Sequence, residues 1–180
     1  MWELKEPKPV KLIIGILAPD RNTLLIAAGA LEAEFGKIDL TSDIWPFTQT
    51  DYYKEQIGET ILRQFVSTEK LIGPGELALI KHKTNELEQQ LAEQLALNVP
   101  RPVNLDPGII EPSKLVLATT KNYSHRIYIG DKMYAEVTLI YDKGKWNTLP
   151  YTYPDYKQQC YFDFFEKVRK RLLEQLKSQI

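Results

Sequence analysis

Eight polar residues crowd the middle of the chain: Arg101, Asn104, Asp106, Lys114, Lys121, His125, Arg126 and Glu136 fall within about 36 positions. Lysine and arginine bind anionic oxygens, arginine through a planar fork. A carboxylate and an imidazole beside them can accept or pass on protons. If these cations converge on one sheet edge, a small phosphate or carboxylate suits them. Arg101, Lys114, Lys121, His125 and Arg126 would then contact its oxygens, while Asn104, Asp106 and Glu136 orient it or take protons. Glu136 has a second reading, an internal ion pair with a cation such as Arg126, because a carboxylate under a helix needs one. The same residues suffice for acid and base catalysis, but they define no reaction, so whether the protein is an enzyme stays open.

Familiar site patterns narrow the field. Gly73-Pro74-Gly75-Glu76 lacks the Lys and Ser or Thr of a phosphate-wrapping Walker loop. Ala18-Pro-Asp-Arg-Asn-Thr23, after the first apolar run, has no glycine, which excludes the Rossmann fingerprint. No Gly-x-Ser-x-Gly elbow occurs. His82-Lys83-Thr84 has the His-x-Thr form of a phosphoesterase, but it falls on a helix, and Arg126-Ile127 follows the second histidine without a hydroxyl. With 2 histidines and 1 cysteine, no metal site is expected. Mg²⁺ could use only carboxylates such as Asp106, Glu136 or Asp155, and no spacing favours it. No cofactor is identified.

Hydrophobic periodicity predicts the elements that must position these groups. Leu12 to Ala18 reads as a central strand covered on both faces, and Thr23 to Phe35 as a helix capped by Asp20 or Asn22 and stopped by Gly36. Ile38 to Phe47 is extended, Tyr52 to Ile57 a short helical turn, and Thr60 to Thr68 a strand with Ile61, Arg63, Phe65 and Ser67 on one side. Leu77, Ile80, Thr84, Leu87, Leu91 and Leu95 stripe a helix of about 20 residues, with Lys81, Asn85 and Glu88 as a polar line beside them. Arg101 to Gly108 carries two prolines and a glycine, and is expected to be a shaped loop or a strand broken by turns. Lys114 to Thr119 is a strand. Arg126 to Ile129 and Met133 to Tyr141 form a hairpin with Met133, Ala135, Val137, Leu139 and Tyr141 on one face and Tyr134, Glu136, Thr138 and Ile140 on the other. A last helix carries Tyr161, Phe165, Val168, Leu172 and Leu176. The order predicts an α+β fold: a ferredoxin-like split βαβ core with an added C-terminal β-hairpin and closing helix, in a single domain over 1–180 with a soft seam near 100–112.

Composition agrees with a folded domain. In 180 residues, 43% are hydrophobic and 26% charged, which excludes disorder and collagen. The 23 bases and 24 acids sum to −1, so no DNA partner is expected. Locally the charge divides: residues 20–69 hold nine acids and four bases, net −5, and residues 156–180 six bases and three acids, net +3. The basic excess on the last helix, at Lys167, Arg169, Lys170, Arg171 and Lys177, reads first as a solvated face and second as a site for an anionic partner. Leu12 to Ala18 is too short to span a bilayer and no signal-peptide pattern precedes it, so neither membrane nor export is expected. The lone Cys160 sits in an aromatic run and reads as a structural thiol, and the expected location is cytoplasmic.

Several long stretches agree in order with one family. Trp45-Pro46-Phe47 with Thr50-Asp51-Tyr52-Tyr53, Lys81 with Thr84-Asn85-Glu86-Leu87-Glu88, Arg101-Pro-Val-Asn-Leu-Asp-Pro-Gly108, Lys114-Leu-Val-Leu-Ala-Thr119, His125-Arg126-Ile127-Tyr128, Tyr134-Ala-Glu-Val-Thr-Leu139 and Thr152-Tyr-Pro-Asp-Tyr156 resemble the prokaryotic family called domain of unknown function 4416. The likeness covers nearly the whole chain. It implies no established activity and no catalytic residue; some relatives carry a GTP-binding label, which hints at phosphate ligands. The functional expectation is binding of a small anionic ligand, nucleotide or phosphate, in a cleft between the central loop and the hairpin. The alternative is a non-catalytic module that docks a protein or RNA through its aromatic residues or basic last helix.

Overall fold

The computed structural model describes residues 2–49 and 53–178. Strand β1 (Val10–Ala18) is buried along its whole length, as a strand covered on both faces must be. Asp20 then caps helix α1 (Arg21–Phe35), its carboxylate accepting from Thr23 N at 2.8 Å, and Gly36 ends it at φ 90°. Strands β2 (Ile38–Thr41) and β3 (Trp45–Pro46), the helical turn α2 (Lys54–Ile57) and strand β4 (Leu62–Ile72) follow. The expected helical turn began at Tyr52, which with Thr50 and Asp51 lies outside the described residues. Helix α3 (Leu77–Leu95) starts behind Gly73-Pro74-Gly75. The remainder is β5 (Asn104–Glu111), β6 (Lys114–Thr119), β7 (Ile127–Gly130), β8 (Met133–Asp142), β9 (Lys145–Thr148) and helix α4 (Gln159–Lys177).

The strands form one antiparallel sheet ordered β2-β4-β1-β5-β6-β8-β7, with β3 beside β4 and β9 beside β8. Alternation sorts β1 between two cores. Leu12, Ile14, Ile16 and Ala18 pack with Leu24, Ala27 and Leu31 of α1 and Ile80 and Leu91 of α3. Ile13, with Phe65 and Leu117, packs under Tyr161, Phe164, Phe165 and Val168 of α4. Helix thus covers both sides of the sheet, and the α+β class holds.

Two expectations are corrected. Asn104 to Gly108 is no loop, because β5 runs unbroken through Asp106-Pro107-Gly108 against Gly15, Ile14 and Ile13, and only Arg101 to Val103 before it is irregular. Proline is tolerated here because antiparallel residues turn their backbone groups alternately toward and away from a given neighbour. Leu105 turns its N–H and C=O away from β1 toward α3, so Pro107, two residues on, turns its nitrogen the same way, before β6 joins at Gly108. The single alternating face expected from Met133 to Tyr141 also fails. Leu115 pairs with Leu139 but Val116 with Val137, so Thr138 is an extra residue, a bulge. Ala135 and Val137 join the core on the α3 side, whereas Leu139 and Tyr141 lie under α4.

Candidate functional site

The sheet forks between β5 and β6. Their pairing ends at Gly108 and Leu117, where a Cβ on Gly108 would stand 2.5 Å from the Val116 carbonyl oxygen. From Pro107 back to Asn104, β5 lacks β6, and α3 takes over: Leu105 N donates to Glu88 Oε1 at 2.6 Å, and Lys81 Nζ donates to the Leu105 carbonyl at 2.9 Å. Glu88 also accepts from Arg101 through Nε at 2.8 Å and Nη2 at 2.6 Å. Burial raises the Glu88 carboxyl above its ordinary range although Lys81 and Arg101 oppose this. The polar line on the predicted helix thus replaces a missing strand.

Beneath α4, Arg63 of β4 is buried across Gly15 and bridges two acids, Asp106 through Nη1 at 3.2 Å and Asp155 through Nη2 at 3.1 Å. Its guanidinium lies 5.2 Å from the Phe47 ring centroid and 5.4 Å from that of Phe65. Burial works against the charge of Asp106, but Arg63 and Lys81, with Asn104 beside them, hold its carboxyl below the ordinary range. For Asp155 the outcome reverses: burial and the nearby Asp106 raise its carboxyl despite Arg63. Arg63 Nε, Asn104 Nδ2, Tyr156 Oη and Tyr161 Oη are buried without a well-aligned hydrogen-bond partner.

On the other prong, β8 places Glu136 in the interior, where Oε2 accepts from Arg126 Nε at 2.8 Å and lies 3.0 Å from His125 Nε2. Arg126 also donates to the Lys121 carbonyl at 3.0 Å and to Tyr153 Oη at 2.5 Å. His125 stacks on Tyr151, centroids 4.0 Å apart and planes 11° apart, with Tyr123 edge-on at 5.4 Å. Tyr153 connects the two prongs. Burial and Glu136 push its hydroxyl up to about 12, Arg126 opposes this, and Asp106 and Asp155 add to it.

The structure therefore unites His125, Arg126 and Glu136, and gathers Asn104, Asp106 and Arg101 on the facing prong. It does not gather all the cations round one hollow. Lys114 pairs with Glu111 at 2.8 Å at the far end of β6, whose length, roughly 20 Å at about 3.3 Å per residue, separates it from the rest. Lys121 contributes its carbonyl, while its side chain lies on the surface. Arg101 and Arg126 are each already matched by a carboxylate. Arg63, Asp155, Lys81, Glu88 and Tyr153 complete the cluster. Arg63 was detectable as a cation on the buried side of an alternating strand, and Asp155 only as one of several acids. Two cavities of about 360 and 300 Å³ lie elsewhere, around Pro74 and Glu111, and none of the eight predicted residues lines either. Among the described residues no group of three or more His, Cys, Asp or Glu is placed to hold a metal ion, and no helix is long and apolar enough to cross a membrane.

The stretches that meet at this fork carry the sequence likeness noted above. No curated protein and no solved structure matches the chain. A family profile matches residues 8–172, from the segment leading into β1 to the last turns of α4, and the chain belongs to the family described as Domain of unknown function (DUF4416).

Proposed function

We propose that the protein binds a small anionic molecule, of the phosphate or nucleotide class, at the head of the fork, between the β5 end bearing Asp106 and the β7–β8 hairpin. The observation that supports this most is the shared anchoring of His125 and Arg126 on one oxygen of buried Glu136. Two side chains suited to anionic oxygens are fixed side by side at a strand end, still 15% and 10% exposed. Arg126 has three of its five N–H donors engaged by Glu136, Lys121 and Tyr153. A thermal-shift screen of phosphates and nucleotides tests the reading. A ligand at 100 times its Kd adds about 2.7 kcal/mol, a rise of roughly 5–10 °C for a chain of this size. No rise with any compound at millimolar concentration removes it.

We also infer that β1-α1-β2-β4-α3-β5 is a ferredoxin-like unit. The order β2-β4-β1-β5, with α1 and α3 crossing on one side, supports this assignment. Cytoplasm is the proposed location, supported by the lone Cys160. A second functional reading, docking of a protein or RNA, draws on Tyr123, Ile127 and Tyr128, which are 66%, 71% and 58% exposed on and beside the edge strand β7. The last helix supports it less: Arg169 covers the Tyr141 ring at 3.5 Å, Arg171 faces Asp39, Glu69 and Glu174, and Lys170 faces Glu166. Substituting Ile127 and Tyr128 with Ser should abolish capture of a partner, and unchanged capture removes this reading.

A further inference from the structure

The cations of the fork are matched by acids, and that balance restricts what can bind. Arg63, Lys81, Arg101 and Arg126 stand against Glu88, Asp106, Glu136 and Asp155, four charges on each side. Such a site has no electrostatic surplus with which to hold a ligand of high negative charge. Selection must come from directed hydrogen bonds.

His125 supplies the decisive acceptor. Arg126 can only donate, so Glu136 Oε2 is an acceptor for it, and the same oxygen faces His125 Nε2 at 3.0 Å. Nε2 therefore carries the hydrogen, and in the neutral ring Nδ1 presents a lone pair. No described residue bonds Nδ1, and the ring cannot turn readily because it is stacked on Tyr151 and abutted by Tyr123. Arg126 lies on the neighbouring side of the same carboxylate and offers only donors. On the facing prong, the Asp106 side chain is 26% exposed and is a second acceptor. A fully deprotonated oxyanion satisfies Arg126 but turns a lone pair toward His125 Nδ1, leaving that acceptor unpaired. An anion that keeps one O–H satisfies Arg126 with its charged oxygen and His125 Nδ1 with its hydrogen, while Asp106 keeps Arg63 as its donor.

We propose that the site selects an oxyacid that presents an anionic oxygen to Arg126 and an O–H donor to His125 Nδ1, and that it discriminates against anions of the same shape without that hydrogen. This rests on the ligand-site reading above and specifies its ligand chemistry. Two sources share the chemistry, hydrogen phosphate and a 2-hydroxycarboxylate.

Calorimetry at a fixed pH of 7.5 with two matched pairs tests it: phosphate against sulfate, and lactate against propionate. The expected result is at least tenfold tighter binding of the O–H-bearing member of one pair, and the pair that responds names the source. His125→Phe keeps a ring to stack on Tyr151 but lacks the acceptor, and should bring that ratio to about one. On the unaltered protein, ¹⁵N NMR should find His125 protonated on Nε2 and bare on Nδ1. Equal affinities within both pairs, or an undiminished ratio in His125→Phe, overturn the inference while leaving an anion site standing. Binding of none of the four anions, together with an empty thermal-shift screen, removes the ligand site itself and the inference with it.

Discussion

Gly15 lies directly beneath Arg63: a Cβ on Gly15 would stand 2.6 Å from Arg63 Nη1 and 2.9 Å from Phe65 Cε1. The middle of the central strand is therefore kept bare so that a guanidinium can cross it between Asp106 and Asp155. Gly15→Ala should cost about 1–3 kcal/mol, the usual penalty for overpacking. Urea denaturation checks this, and a cost below the error of the extrapolation would show that Arg63 has room to move aside.

Arg63 itself is the larger test. Replacing it with Met leaves Asp106 and Asp155 facing each other without their counter-charge, and breaking a buried pair from one side costs about 3–5 kcal/mol. Because Asp155 is already the carboxyl that burial pushes upward, Asp155→Asn added to Arg63→Met should restore part of the loss. A double-mutant cycle with no coupling would show that Arg63 packs rather than pairs.

How much of this was legible from sequence follows the range of the forces involved. Local signals located the helices well: Asp20 and Gly36 bound α1, and the leucine stripe marks α3. The polar trio His125, Arg126 and Glu136 also came together, because a short hairpin brings residues about ten apart into register. Two things were hidden. The bulge at Thr138 leaves the alternating pattern of letters intact while reversing which side Leu139 faces. The partners of Arg63 lie 43 and 92 positions away: the β4-β1-β5 pairing brings Asp106 to it and the helical turn before α4 brings Asp155, and no local window contains either meeting. Pro107 misled because its effect depends on which neighbour is absent, and that is a property of the sheet.

Acid and base limbs of the stability curve should separate two carboxylates. The Asp106 carboxyl is held down by Arg63 and Lys81 against burial, so its charge stabilises the fold above the ordinary aspartate value of 3.8 and that contribution is lost as the pH falls through its folded value. Glu88 has the opposite sign. Burial raises its carboxyl above the ordinary 4.5, so its contribution is complete below that value and lost as the pH rises through the raised one. Glu88→Gln should remove the second decline from a stability-against-pH profile and leave the first. A profile of unchanged shape would assign the decline to another group.

The loop that carries Tyr151 and Tyr153 is fastened by one hydroxyl. Thr152 is buried, donates through Oγ1 to the Thr138 carbonyl at 2.6 Å and accepts from Leu149 N at 2.8 Å, so the bulge in β8 is tied to the loop that stacks on His125. Thr152→Val keeps the shape but leaves a buried carbonyl and a backbone N–H without partners, at a cost of about 1–3 kcal/mol. The effect should also travel. With Tyr151 no longer held 4.0 Å from the imidazole, the ring-current shift of the His125 protons should diminish in the valine variant, whereas a cost confined to the bulge would leave those resonances in place. Thr152→Ser, which keeps the hydroxyl, should retain both the stability and the shift. Should the serine variant lose the shift as well, the methyl group rather than the two hydrogen bonds positions the loop, and His125 would owe its orientation to Glu136 alone.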